Sequence, residues 1–320
     1  MGDLSGLYLH LQRMSTEDGP GIRTTVFLKG CLLRCAWCHN PESLLREPQV
    51  QRVETNCLQC GSCIEVCPGG CIQPGADFVF IERSCCDGCG LCVEACPAGA
   101  MEFLGIPVTV EALLEELIKD INYYQLSGGG VTLSGGEPAL QGNFCAALAE
   151  RLQAAGIHSA LDTCGMTSWS NLVKIMPHID LVLYDLKELD PVRHKKFTGQ
   201  PNKVILENLI HIREFIKERH SRIRLWIRTP LIPGATASLE NLSGIGNFLA
   251  CELGDMVQRW ELPAFNNLCR EKYRRLGMEW AYADTPLLTQ EEICQFEDWA
   301  KNAGLSADRV LATGSRFSAC

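Results

Sequence analysis

The chain has 320 residues, of which 19 are cysteine, and its formal net charge is −9. Apolar residues make up 46% and charged residues 21%, which excludes a disordered chain, because disorder requires low hydrophobicity. The acidic balance argues against binding to nucleic acid, which depends on cations that neutralise phosphates. Because it has no apolar run of about 18 residues and no export signal, we expect a cytoplasmic protein without a membrane span. Its cysteines should then be metal ligands or catalytic groups rather than disulfides.

The apolar pattern predicts strands that alternate with helices along the chain. A strand at 25–28 comes first, and a helix over 109–125 follows with Thr109 as its N-cap. Later strands are predicted at 130–133, 157–162, 180–185, 223–228 and 256–261, with helices at 140–155, 169–175, 204–219, 238–251 and 289–303. Six such units predict an α/β fold, a partial (β/α)6 TIM-like barrel, with a doubly wound open sheet as the alternative.

The first cysteine group has the spacing Cys31-x3-Cys35-x2-Cys38 and follows the first predicted strand. Three thiolates leave one iron of a cubane without a protein ligand, and an open coordination position is typical of catalytic metals. Zinc is the alternative for a bare triplet. Trp37, directly before the third cysteine, and the preceding strand favour iron–sulfur chemistry.

Two further groups match the ferredoxin pattern C-x2-C-x2-C-x3-C-P, in which the fourth cysteine ligates the other cluster. The pattern predicts one [4Fe-4S] cluster on Cys57, Cys60, Cys63 and Cys96. It predicts a second on Cys86, Cys89, Cys92 and Cys67. Four-cysteine zinc sites are the alternative, which two complete runs disfavour. The other cysteines are interpreted as small buried hydrophobic residues, at positions 71, 85, 145, 164, 251, 269, 294 and 320.

Residues 50–103 contain seven acids and two bases and are flanked by Pro48 and Pro107. We interpret them as a ferredoxin-like domain with two clusters, inserted into a barrel made of residues 1–49 and 104–320. The insert could relay an electron to the first cluster; the alternatives are a structural role or docking of the partner.

Residues 191–228 are basic, with ten bases and three acids. A solvated helix face is the favoured interpretation. A docking surface for an acidic partner, which would include Lys195 and Lys196, is the alternative.

Polar residues follow the predicted strands at the points where the strands end. They are the turn Gly135-Gly136-Glu137, then Asp162, Asp185 with Lys187, Arg228 and Asn266. In parallel barrels the functional face lies at the carboxyl ends of the strands. Charged side chains that converge there are difficult to explain as part of a hydrophobic core, because burying an unpaired charge is costly. The sequence therefore predicts one site at this end of the sheet.

The pattern C-x3-C-x-aromatic-C resembles the radical S-adenosylmethionine (SAM) superfamily. Several strings resemble the glycyl radical enzyme activating enzymes, in the subgroup with a double [4Fe-4S] ferredoxin-like insert. These strings are Asp18-Gly19-Pro20-Gly21-Ile22-Arg23, Cys38-His39-Asn40-Pro41, Ser134-Gly135-Gly136-Glu137-Pro138, Asp162-Thr163-Cys164-Gly165 and Asp185-Leu186-Lys187.

The resemblance implies an oxidoreductase with three [4Fe-4S] clusters and SAM. The cluster on Cys31, Cys35 and Cys38, reduced by one electron, would cleave SAM to a 5′-deoxyadenosyl radical. That radical would take a hydrogen atom from a glycine of a large partner, a glycyl radical enzyme. A low-potential donor such as flavodoxin or ferredoxin would supply the electron, and we expect a monomer.

The resemblance also implies roles for individual residues. Asp185 and Lys187 are expected to act in catalysis, near SAM and the partner's glycine loop. Asp162 matches a position linked in some members to a monovalent cation. Asn266 stands where some members have a histidine that contacts SAM. The remaining expected SAM contacts are Trp37, Cys38, His39, Gly135, Gly136, Glu137 and Arg228.

Two other classes remain open from the sequence. One is a radical SAM enzyme that acts on a small molecule or RNA, against which the Asp18-Gly19-Pro20-Gly21 string counts. The other is a non-enzymatic iron–sulfur electron carrier or redox sensor, against which the open-site triplet counts.

Overall fold

The structure, a computed structural model, describes residues 4–75, 78–219 and 222–314. Its main element is a nine-stranded sheet with the order β13-β12-β11-β10-β9-β8-β2-β1-β7. Its strands are β1 (Ser5–Ser15), β2 (Arg23–Leu28), β7 (Ile106–Thr109), β8 (Gly130–Gly135), β9 (Ser159–Thr163), β10 (Leu181–Asp185), β11 (Arg224–Arg228), β12 (Val257–Pro263) and β13 (Val310–Thr313). Two small two-stranded sheets pair β3 (Gln49–Arg52) with β6 (Met101–Leu104) and β4 (Ile72–Pro74) with β5 (Val79–Ile81).

The helices of the described residues begin and end as follows: α1 (Ser62–Glu65), α2 (Leu91–Glu94), α3 (Val110–Ile118), α4 (Ile121–Ser127), α5 (Gly142–Ala154), α6 (Trp169–Ile175), α7 (Pro191–Thr198), α8 (Lys203–Glu218), α9 (Leu239–Glu252), α10 (Arg270–Leu276) and α11 (Gln290–Lys301). The largest hydrophobic core joins α3, α5, α8, α9 and α11 to one face of the main sheet. Among the described residues, no helix is long and apolar enough to cross a membrane.

The parallel strands β2 and β8 to β13 lie side by side in chain order. A doubly wound sheet reverses its strand order at a switch point, and this sheet does not, so that alternative is wrong. β1 runs antiparallel to β2 and β7 runs antiparallel to β1. Within the part of the chain that the structure describes, β7 and β13 each have one neighbour, so the sheet has two open edges there.

Alternation along the strands explains why the second face of the sheet is polar at the carboxyl ends of the strands, although a small apolar cluster lies on the rest of that face. Successive side chains of a strand point to opposite faces. Leu161, Val182 and Ile227 therefore join the core with the helices. Asp162 points to the opposite face of the sheet. Arg228 is the register partner of both Asp185 and Glu261, so it lies beside both residues.

Residues 50–103 have a small core of their own, formed mainly by Val50, Ile72, Val79, Ile81 and Met101. Strand β3 pairs with β6, which brings the two ends of the segment together. Helices α1 and α2 are short and both begin after a glycine in the left-handed conformation, Gly61 and Gly90. The two cysteine runs thus adopt the same local structure.

All six predicted strands are confirmed, whereas β1, β7 and β13 were not predicted. The predicted helix over 109–125 is instead two helices, α3 and α4. It breaks at Asp120, whose carboxylate accepts hydrogen bonds from Arg13 and from Thr24, the latter at 2.8 Å. Short α7 and α10 were also missed, because neither has enough turns to give a clear helical periodicity.

Candidate functional site

A cavity of about 320 Å³, here named the strand-end cavity, lies at the carboxyl ends of the parallel strands. All residues predicted for this site line it except Glu137: Cys31, Cys35, Trp37, Cys38, His39, Gly135, Gly136, Asp162, Asp185, Lys187, Arg228 and Asn266. The three cysteines occupy one side, on the loop after β2. The charged residues come from the ends of β9, β10 and β11.

Two helices that were not predicted hold the cysteine loop. The Arg34 and Ala36 amides donate to carbonyl oxygens in α7, at 2.7 and 2.9 Å. On the other side, the Tyr273 hydroxyl of α10 donates to the Cys38 carbonyl at 2.9 Å. Lys272 of α10 donates to the Glu42 carboxylate at 2.6 Å. These contacts join residues more than 150 positions apart, so no local pattern could reveal them.

An aromatic cluster surrounds Trp37, which is 6% exposed. Phe197 and Tyr282 lie 6.1 and 6.3 Å from its ring centroid. Phe265 packs against Tyr282 and also lines the strand-end cavity. Trp37 therefore anchors the cysteine loop to the carboxyl-terminal part of the chain.

The Gly135-Gly136 pair is required by close backbone packing. Gly135 has a φ of +110°, and a Cβ there would lie 2.3 Å from the Leu28 nitrogen. A Cβ on Gly136 would lie 2.2 Å from the Gly30 carbonyl oxygen. The two glycines thus press the loop after β8 against the end of β2, beside the cysteine loop.

Glu137 lies behind the cavity wall, outside the residues that line it. Its fully buried carboxylate accepts from the Thr163 hydroxyl at 2.7 Å, the Cys164 amide at 2.9 Å and the Ala139 amide at 3.1 Å. Burial raises the pKa of this carboxyl group, while the hydrogen bonds favour its charged form. Glu137 therefore fastens the end of β8 to the end of β9, a role different from the predicted cofactor contact.

Arg228 bridges two carboxylates, of which Asp162 lines the cavity and Glu261 does not. Its guanidinium lies 3.7 Å from Asp162 and donates to Glu261 at 3.0 Å. It also donates to the Glu17 carbonyl, which ties the loop between β1 and β2 to the strand ends. Burial raises the pKa of Asp162 to about 7, and Arg228 opposes this rise.

Asp185 and Lys187 form an ion pair whose ammonium is almost fully buried. Burial alone lowers the pKa of a lysine, but the carboxylate of Asp185 raises that of Lys187 above its ordinary value. The Lys187 side chain remains charged beside the cysteine loop.

His39 and Asn266 meet at the cavity rim, where a ring nitrogen of His39 lies 3.1 Å from the Asn266 carbonyl oxygen. Burial lowers the pKa of His39. The Asn266 side chain accepts from the Leu268 amide at 3.2 Å.

Two of the three loop cysteines lie in surroundings that disfavour bare thiolates, whereas a hydrogen bond with Cys164 lowers the pKa of Cys31. Burial raises the pKa of Cys35 to about 12 and raises that of Cys38 as well. Thiolates there need a bound cation to compensate their charge, which fits a metal cluster. Cys164, which was interpreted as a hydrophobic residue, also lines this cavity and donates to Glu137 at 3.1 Å.

The insert has two smaller cavities, and each is lined by one predicted set of four cysteines that comes from both runs. The Cys96 cavity, of about 20 Å³, is lined by Cys57, Cys60, Cys63 and Cys96. The Cys67 cavity, of about 50 Å³, is lined by Cys67, Cys86, Cys89 and Cys92. The structure thus brings together the two crossed sets that the ferredoxin pattern predicts.

The remaining cysteines do not all fit the predicted buried role. Cys145, Cys164 and Cys269 are buried. Cys251 and Cys294 are exposed because both lie on outward positions of surface helices, and Cys85 is exposed as well, so for these three the prediction is wrong. Cys71 and Cys85 form a disulfide. Cys320 lies outside the described residues.

The model of the radical SAM superfamily matches residues 80–242, about half of the chain. The model of a 4Fe-4S single cluster domain matches residues 17–65, which include the cysteine loop. The chain therefore belongs to the radical SAM superfamily and uses SAM and iron–sulfur chemistry.

Curated proteins that are similar to this chain indicate its family within the superfamily. The (2S)-3-sulfopropanediol dehydratase activating enzyme of Klebsiella oxytoca is 39% identical over 85% of this chain and 86% of its own. The choline trimethylamine-lyase activating enzyme of Oleidesulfovibrio alaskensis is 36% identical over 93% and 95%. The isethionate sulfite-lyase activating enzyme of Nitratidesulfovibrio vulgaris is 39% identical over 86% and 89%.

The chain belongs to the family of glycyl radical enzyme activating enzymes, and it activates its partner through SAM radical chemistry. This excludes the non-enzymatic carrier and the enzyme acting on a small molecule or RNA. The partners in the relatives' names differ in their reactions, so the family does not select one partner for this chain.

Proposed function

We propose that the strand-end cavity holds a [4Fe-4S] cluster on Cys31, Cys35 and Cys38, together with SAM, and receives a glycine loop of the partner enzyme. The convergence of three cysteines with two carboxylates and two cations around one cavity of about 320 Å³ carries this proposal. When bound and reduced, the cluster supplies the electron that cleaves SAM, and the 5′-deoxyadenosyl radical so released takes a hydrogen atom from the partner's glycine.

The charged residues are suited to the polar parts of SAM. Lys187 and Arg228 are cations that can face its carboxylate, and Lys187 also offsets the negative charge of Cys35. Asp162 and Asp185 are carboxylates that can accept from its amino group or ribose hydroxyls. A monovalent cation beside Asp162 completes this proposed set. Phe265 and Ile232 form an apolar part of the wall, which limits access of water.

We also propose that the main sheet is a partial (β/α)6 barrel, built from residues 1–49 and 104–320. Its sequential strand order and open edges support this. Residues 50–103 would form the ferredoxin-like insert, with one [4Fe-4S] cluster in the Cys96 cavity and one in the Cys67 cavity. The separate core of the segment and its two four-cysteine cavities support this assignment.

The proposed setting follows from the chemistry. The protein would work in the cytoplasm as a monomer, and it would take electrons from a flavodoxin or ferredoxin. The two clusters of the insert would relay those electrons to the cysteine loop. The partner is a glycyl radical enzyme whose own reaction this chain does not specify.

The test uses the full chain with its clusters reconstituted under anaerobic conditions. Incubation with SAM and dithionite should yield 5′-deoxyadenosine. Mixing with candidate glycyl radical enzymes should then produce a glycyl doublet in the electron paramagnetic resonance spectrum of the cognate partner. The absence of 5′-deoxyadenosine from a preparation with full iron content would overturn the proposed use of the cavity.

A further inference from the structure

The two halves of the insert share a backbone arrangement but differ at one pair of side chains. The Cys71 amide donates to the Cys67 sulfur at 3.3 Å, and the Ala100 amide donates to the Cys96 sulfur at 3.2 Å. Cys71 and Ala100 therefore occupy equivalent positions, four residues after the last cysteine of each run. Before the first cysteine of each run, one half has Cys85 and the other has Asn56.

This difference places two extra cysteines beside the Cys67 cavity. Cys71 and Cys85 both line it, and a disulfide joins them across a Cα–Cα distance of 5.8 Å. The Cys96 cavity has Ala100 at the corresponding place in its wall. An extra sulfur pair is therefore confined to one of two otherwise matched cavities.

The two sulfurs differ in their access to solvent. Cys71 is buried, with 2% of its surface exposed. Cys85 is exposed and lies directly before Cys86, on the outer side of the cavity. An exposed cysteine next to a buried partner is the arrangement of an attacking thiol and its resolving thiol.

We propose that Cys71 and Cys85 form a reversible thiol–disulfide site that reacts with low-molecular-weight disulfides. The Cys85 thiolate attacks the small disulfide, breaks its S–S bond and releases one small thiolate. Cys71 then attacks the sulfur of Cys85, forms the protein disulfide and releases the second small thiolate. The protein pair loses two electrons and two protons, and the small disulfide is reduced to two thiols.

The bond has a consequence for the Cys67 cavity. It joins the chain four residues after Cys67 to the residue before Cys86, so it links the segments that carry two of the four predicted ligands. Oxidation of the pair should therefore change the surroundings of a cluster in the Cys67 cavity and leave the Cys96 cavity unchanged. The site itself does not depend on the proposed function.

The test is a redox titration of the anaerobic holoprotein in buffers of reduced and oxidised glutathione. Free thiols are alkylated in the native protein, and trypsin then cleaves after Arg83, which separates Cys71 from Cys85. Mass spectrometry should find the linked peptides 53–83 and 84–119 at oxidising ratios. The link should disappear at reducing ratios as a single two-electron step.

Two variants distinguish the attacking role of Cys85 from the resolving role of Cys71. Cys71→Ser should trap glutathione on Cys85, whereas Cys85→Ser should leave Cys71 unmodified, because Cys71 is buried. Cys294, an exposed cysteine of α11, is the internal control and should take up glutathione without forming a link. The wild-type titration needs no variant to fold. A pair that stays unlinked at every ratio, or stays linked at every ratio, overturns the proposal.

Discussion

The strand-end cavity and the two cysteine cavities of the insert differ in size, ligand number and polarity. The first has about 320 Å³, three loop cysteines and both acidic and basic side chains. The others have about 20 and 50 Å³, four predicted ligands each and mostly apolar walls. A cluster with four protein ligands has no iron position left for a substrate, whereas three ligands leave one position open. Under the proposed function, this difference predicts SAM cleavage in the large cavity and electron transfer in the small ones.

The largest effect is expected at the cysteine loop. Cys35→Ala removes one of the three ligands of this cluster, so the whole cluster should be lost. Because it is one of three proposed clusters, the chain should lose about one third of its iron and all SAM cleavage. The measurements are iron content and 5′-deoxyadenosine formed with dithionite. Cys294→Ser, at an exposed position, is the control and should retain both. Normal formation of 5′-deoxyadenosine by Cys35→Ala would contradict the prediction that SAM is cleaved in the strand-end cavity.

A smaller and more selective effect is expected in the insert. Cys57→Ala with Cys60→Ala removes two ligands of the Cys96 cavity. Cleavage of SAM driven by dithionite should stay within about twofold of wild type, while cleavage driven by flavodoxin should fall about tenfold or more. Both rates are followed by 5′-deoxyadenosine formation. Full activity with flavodoxin, in a variant shown by spectroscopy to lack that cluster, would contradict the relay.

A third prediction concerns the charge of the strand-end cavity. Asp162 has a pKa of about 7 in the folded chain, against an ordinary value of 3.8. Between these values the folded chain holds a proton that the unfolded chain has released, so this group's contribution to stability falls as pH rises from about 4 to 7. Asp162→Asn should therefore flatten the pH dependence of the melting temperature between pH 5.5 and 8, without SAM. An unchanged slope would show that Asp162 titrates normally.

The smallest effect is expected on α7. Lys195 and Lys196 are exposed, and the ammonium of Lys196 lies 5.1 Å from the Phe197 ring. Lys195→Glu with Lys196→Glu should change the partner's Kd at low salt by less than about twofold, because solvated surface charges contribute little. A large loss of affinity that added salt abolishes would instead identify this face as a docking surface.

Local spacing explains which parts of the site could be predicted. The cysteine sets and the polar residues at the strand ends follow short patterns, and a parallel sheet brings such strand ends to one edge. The roles of Tyr273, Lys272 and Phe197 could not be predicted, because they act through contacts with distant residues. Glu137 follows the same strand-end pattern, and the resemblance implied that it contacts SAM, but its carboxylate turns into the wall.

The sequence by itself determined that 11 of the 19 cysteines fall into three spaced groups of predicted ligands, because spacing along the chain is a local property. It also determined the alternating strands and helices, through the apolar pattern. Only the tertiary structure decided the sequential order of the strands, the position of α7 and α10 against the cysteine loop and the meeting of Cys71 with Cys85. Those features depend on which distant segments pack together, and that is set by the burial of whole faces rather than by any short run of residues.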